Sequence, residues 1–149
     1  MKVCVFGAGA IGGSLAARLS NSGTEVSVVA RGDHLTAIRQ NGLTLILPER
    51  KVHVHIAASS DPRDLGPQDA VFVTVKAPAL PDVAATIAPL LRADTPVVFC
   101  MNGVPWWYFY AHGGDDARPD HIRGQINNAT NRTLRPHGVP HHVIWINQR

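Results

Sequence analysis

Three glycines, two cations and one amide are the positions in this chain best suited to chemistry. Gly7, Gly9 and Gly12 stand in a G-x-G-x-x-G pattern, Gly7-Ala8-Gly9-Ala10-Ile11-Gly12. Such a turn bares backbone N–H groups at the start of a helix, and those groups can cradle a diphosphate. Gly7 is expected to allow the tight turn, Gly9 to let backbone approach the phosphates, and Gly12 to let the helix sit close to its strand. Arg31 offers a planar, permanently charged fork that matches a phosphate monoester. Lys76 offers a positive charge to a carboxylate or a phosphate. Asn102 can both donate and accept hydrogen bonds. Each side chain also has a plainer reading: Arg31 and Lys76 as solvated charges at strand ends, and Asn102 as a turn residue ahead of Gly103.

The elements that would hold these groups follow from hydrophobic patterning. An apolar run at residues 3–6 reads as a strand. Residues 11–21 read as a helix whose Ile11, Leu15 and Leu19 form one stripe toward a sheet. Asn21, Ser22 and Gly23 end it, with Gly23 in a left-handed cap. Residues 25–30 (EVSVVA) form the second strand. A unit that binds NAD usually carries Asp or Glu at the end of that strand, on the ribose 2′-OH. Here the strand ends in Ala30, Arg31 and Gly32, which favours NADP(H). Asp33 is expected to N-cap a helix over residues 34–40. Residues 43–47 and 52–56 form a hairpin appended to the main sheet. His53 and His55 then lie on one exposed strand face, a better reading than a metal pair. Residues 59–68 are polar and turn-rich. Residues 70–75 (AVFVTV) and 96–100 (PVVFC) read as buried parallel strands. Between them a helix over 82–91 aligns Val83, Ile87, Leu90 and Leu91. The alternation predicts an α/β, Rossmann-like, doubly wound and mostly parallel sheet. Ligands of such sheets bind at the carboxyl ends of the strands. Gly7, Arg31, Lys76 and Asn102 all fall at such ends, so one site is expected.

At 149 residues the chain makes one domain, long enough to bury about 70% of its unfolded surface. The net charge of +3 is scattered, which suits an anionic ligand and argues against nucleic acid. Cys4 and Cys100 sit in apolar strands, as buried thiols of a reducing, cytoplasmic compartment do. No segment is long enough to span a bilayer, and the glycines with Arg18 break any resemblance to a signal peptide. The aromatic run at residues 106–110 (WWYFY) reads as a short helix wedged against a neighbour. Its sticky surface points to self-association as a homo-oligomer. Further on, residues 111–120 read as a loop, 122–127 and 139–146 as strands, and 131–137 as a turn. His137, His141 and His142 lack a carboxylate or cysteine at ligand spacing, so no metal is expected.

In order and spacing, the chain resembles the N-terminal half of the ketopantoate reductases (2-dehydropantoate 2-reductases) from residue 1 to about residue 110. The carriers are GAGAIGG at residues 7–13, ARG at 30–32, VKA at 75–77 and NGV at 102–104. The resemblance implies NADPH-dependent reduction of the 2-keto group of ketopantoate to pantoate, on the route to pantothenate and coenzyme A. It would place Gly7, Ala8, Gly9, Ala10, Ile11 and Gly12 at the pyrophosphate and Arg31 at the 2′-phosphate. Lys76 and Asn102 would line the cleft near the nicotinamide, with Asn102 also touching substrate. The family has a second, mostly helical domain that supplies the general-acid lysine and further substrate contacts. Nothing in residues 1–149 matches that domain, and residues 129–149 resemble the family only loosely. The chain is therefore expected to be the dinucleotide-binding domain without a catalytic residue of its own, whether as a fragment, a truncated reading frame or a natural short form. Two alternatives stay open: a non-catalytic NADP(H)-binding module, and a reductase of another 2-keto acid.

Overall fold

The computed structural model describes residues 1–101 and the strand residues 144–145. Its centre is β1 (Lys2–Phe6), where every residue after Lys2 is buried. Neighbouring side chains of β1 enter opposite layers. Cys4 and Phe6 join Val71, Val73, Val97 and Phe99 in one core, while Val5 joins Val26 and Val28 in the other. A strand buried on both faces needs an unbroken apolar run, as the sequence has there.

From β1 the chain passes through α1 (Ala10–Asn21), β2 (Glu25–Val29), α2 (Gly32–Asn41), and the hairpin β3 (Leu43–Ile46) and β4 (Lys51–Val54). Next come β5 (Ala57–Ser59), β6 (Ala70–Val73), α3 (Leu80–Thr86), β7 (Val97–Phe99) and β8 (Ile144–Trp145). The main sheet has the order β5-β2-β1-β6-β7-β8. Every adjacent pair in it is parallel. This order reverses direction between β1 and β6, the crevice where open α/β sheets bind ligands. Leu35 and Ile38 of α2 and Ala16 of α1 cover one face, and Leu80, Val83 and Ile87 cover the other.

Several sequence expectations need correction. The stripe of α1 that meets the sheet is Gly12, Ala16 and Ala17, not Ile11, Leu15 and Leu19. Small residues let the helix approach its strand closely. Leu15 and Leu19 pack at the margin, and Ile11 stands 47% exposed above the crevice. Asp33 does not cap α2. Arg31 holds the N-cap position in extended backbone, and Asp33 lies inside the first turn. The hairpin is not appended to the main sheet but forms its own two-stranded sheet against α1. Its first residue, Leu43, packs into the α1–α2 core.

The sequence announces no strand at β5, which runs from the end of the expected hairpin into the start of the turn-rich stretch, because its Ala-Ala-Ser residues carry little strand propensity. They pair in parallel with β2. The helix expected over 82–91 starts earlier, at Leu80, and stops at Thr86. A separate 3-10 turn follows over Ala88–Leu90, because Pro89 supplies no N–H and disfavours α backbone before it. Cys4 is buried as expected, but Cys100 is only half-buried, and both are free thiols. The strand expected over 139–146 contains β8. The aromatic run, residues 122–127 and the three C-terminal histidines lie outside the described residues. Among the described residues, no helix is long and apolar enough to cross a membrane.

Candidate functional site

The glycine turn joins β1 to α1. Gly7 has a φ of 105° and donates its N–H to the Val29 carbonyl at 3.0 Å. An L side chain is strained at that φ. A Cβ at Gly12 would overlap the Gly7 carbonyl oxygen and the Thr74 Oγ1. Both glycines are therefore required by the chain itself. Gly9 differs. Its φ of −65° suits any residue, and a Cβ there meets no described atom within 4 Å. Gly9 caps α1 with no side-chain hydrogen bond, and no acid lies in the first turn. The first N–H groups of α1 therefore open onto the crevice with the partial positive charge of a helix start.

Thr74 clamps the turn from the other side. Its hydroxyl donates to the Gly7 carbonyl and contacts the Phe6 carbonyl. This tie across the crevice went unread in the sequence. Thr74 looks like one more β-branched residue of a buried strand, and only the β1–β6 register brings it to Gly7.

Lys76 follows at the same strand end, exposed, in the N-cap position of a 3-10 turn over Ala77–Ala79. With Ile11, Thr74, Val75, Cys100 and Met101 it lines a cavity of about 320 Å³. Burial raises the pKa of the Cys100 thiol at this wall. Cys4, deep in the sheet, is pushed by burial up to about 12. A second cavity of about 260 Å³ lies on the other side of the glycine turn. Gly9, Ser14 and His34 line it together with Leu43, Thr44 and Leu45 of the hairpin. The hairpin wall was not foreseen either.

Arg31 stands two residues past the end of β2, and its Nη1 lies 3.5 Å from Asp82 Oδ2 of α3. The structure thus gathers Gly7, Ala8, Gly9, Ala10, Ile11, Gly12, Arg31 and Lys76 along one edge of the sheet. Asn102 lies outside the described residues. His53 and His55 are exposed with ring nitrogens 3.3 Å apart. Among the described residues, no group of three or more His, Cys, Asp or Glu gathers as a metal site would require.

A parallel sheet in this order, with a glycine turn at its reversal point, defines a Rossmann-like α/β nucleotide-fold domain. Residues 3–105 match the sequence profile of the ketopantoate reductase PanE/ApbA family. The chain belongs to that family. It is 50% identical over 115 residues to a 2-dehydropantoate 2-reductase of Mesorhizobium japonicum, covering 76% of this chain and 35% of that protein. A Ralstonia solanacearum protein crystallised as a ketopantoate reductase superposes with a TM-score of 0.75 at 43% identity. That match covers 88% of this chain and 42% of the other. A D-mandelate dehydrogenase solved with NADH and anilino(oxo)acetate matches with a TM-score of 0.64 at 26% identity, over 70% of this chain and 34% of that one. The chain thus spans about a third of the length of the curated relative.

Proposed function

We propose that this chain is the NADP(H)-binding portion of a cytoplasmic enzyme that reduces 2-dehydropantoate, a small 2-keto acid. The observation that carries the reading is Gly9. Gly7 and Gly12 are explained by strain and overlap inside the chain, whereas Gly9 is explained by a ligand that comes within the radius of a Cβ. Arg31 supports the phosphorylated cofactor, since it stands where an NAD site usually carries an acid.

When bound, the nicotinamide supplies a hydride to the keto carbon. The chain's own groups do the rest of what falls to this half. The N–H groups of Ala8, Gly9, Ala10, Ile11 and Gly12 receive the diphosphate, and Arg31 receives the 2′-phosphate. Ile11, Cys100 and Met101 make an apolar wall that excludes water. Lys76, beside that wall, attracts the substrate carboxylate, and Asn102 hydrogen-bonds cofactor and substrate. Residues 1–149 act as the dinucleotide-binding unit. The proton donor for the developing alkoxide is supplied from outside this set.

Fluorescence titration with NADPH and NADH tests the reading. Arg31→Ala should cost NADPH about 1.5–3 kcal/mol, the worth of a lost charged hydrogen bond, and cost NADH little. Equal losses would remove Arg31 as the phosphate reader, and no NADPH binding would remove the proposal. The D-mandelate dehydrogenase neighbour with NADH favours a second reading, a reductase of another 2-keto acid. Tighter binding of NADH than of NADPH by the wild-type chain would select it.

A further inference from the structure

We propose that Asp82 sets how strongly this site prefers a 2′-phosphorylated nucleotide over an unphosphorylated one, by competing with the phosphate for Arg31. The inference rests on the crevice being the nucleotide site. Arg31 caps α2 two residues past β2, and Asp82 lies in the first turn of α3, which follows β6. β2 and β6 flank β1 in the sheet. Their 3.5 Å contact therefore reaches past the carboxyl end of β1, across the mouth of the crevice. Both side chains are 64% exposed, so the pair is weak and open to exchange. Among the described residues, Arg31 has no other acidic partner and Asp82 no other basic one.

A phosphate dianion is a better partner for a guanidinium than a carboxylate, because both accept two parallel N–H bonds but the phosphate does so at higher charge. It must nonetheless displace Asp82, and once bound it faces that carboxylate at close range. A nucleotide with a free 2′-hydroxyl meets the opposite balance. The hydroxyl can donate to a carboxylate, the role that the missing acid at the end of β2 would have filled. The chain thus carries a phosphate reader on one wall and an acid on the other. Asp82 is a positioning and selectivity residue that acts through Arg31, and the sequence hides it because 51 residues separate the two.

The test is titration of the full chain and its Asp82→Asn variant with NADPH and NADH, at low and at high salt. Asp82→Asn should tighten NADPH about three- to tenfold, the scale of a released exposed pair plus relieved repulsion. NADH should stay unchanged or weaken by about twofold. The gain should shrink at high salt. In an Arg31→Ala background, the same substitution should keep only the part due to relieved repulsion, a clearly smaller gain in NADPH binding than in the parent. An undiminished gain there would overturn the competition for Arg31. An equal shift for both nucleotides would mean that Asp82 only props the wall, and would overturn the proposal. So would no shift, or weaker NADPH binding. Failure of the wild-type chain to bind either nucleotide would instead remove the reading of the crevice itself.

Discussion

The two ends of the main sheet use their polar groups in opposite ways. At the amino end they are turned inward on one another. Asp69 accepts the Lys2 backbone N–H at 2.7 Å and pairs with Arg92. The Gln68 side chain, 3% exposed, donates to the Leu65 and Gly66 carbonyls. Thr95 donates to the Gln68 carbonyl and accepts from the Arg92 N–H. The starts of β1 and β6 are stitched together by groups that have partners within the chain. At the carboxyl end, among the described residues, Thr74 alone stitches β1 to β6 through its side chain. The helix start, Arg31 and Lys76 face outward. Polar groups tied to one another hold the fold, and those that face solvent, Arg31 in its exposed and exchangeable pair with Asp82 included, remain open to a ligand.

The most forceful way to break this contrast is Gly12→Ala. The new Cβ collides with the backbone oxygen of Gly7, which cannot swing away as a flexible side chain could. Destabilisation of roughly 3 kcal/mol is expected, read from denaturant unfolding. Unchanged stability would mean that the turn is not built as described. Gly9→Ala separates the two uses of the same corner. Stability should change by less than about 1 kcal/mol, since the φ suits alanine and the unfolded chain loses freedom, while alanine is the poorer N-cap. NADPH affinity should fall roughly tenfold or more. A variant that binds as well as the parent would sink the cradle reading.

Asp69→Asn probes the opposite end, with the smallest effect. The Lys2 N–H first, and then Arg92, hold the Asp69 carboxyl below its ordinary value. A depressed carboxylate stabilises the fold above its unfolded pKa of about 3.9. That contribution disappears as pH falls through the lower folded value. The variant should therefore melt below the parent near neutral pH, and the gap should close in acid. Its nucleotide affinity should match the parent's. A gap that persists in acid would refute the charge-based account.

Much of this contrast was legible in the residue order. The glycine spacing, the apolar runs of β1, β6 and β7, and the position of Arg31 each lie within a few neighbouring residues. Steric limits and hydrophobic periodicity act at that range. Where local signals are weak or ambiguous, tertiary packing overrides them. Ile11 fits a helical stripe by spacing, yet the close approach of α1 at Gly12 and Ala16 turns it to the crevice. Asp33 is a good cap by type, but the helix begins two residues earlier. The residues of β5 are too small and polar to announce a strand, and it exists because β2 offers it an edge.

Taken alone, the chain's order determined the α/β class, the glycine corner and the charge at the end of β2. Local stereochemistry and periodicity encode all three. Tertiary structure alone decided that Thr74 would clamp Gly7, that the hairpin would wall a second cavity, and that Asp82 would face Arg31. Those contacts join residues far apart in sequence. They arise from strand order and register, which are settled only when both faces of the sheet are buried together.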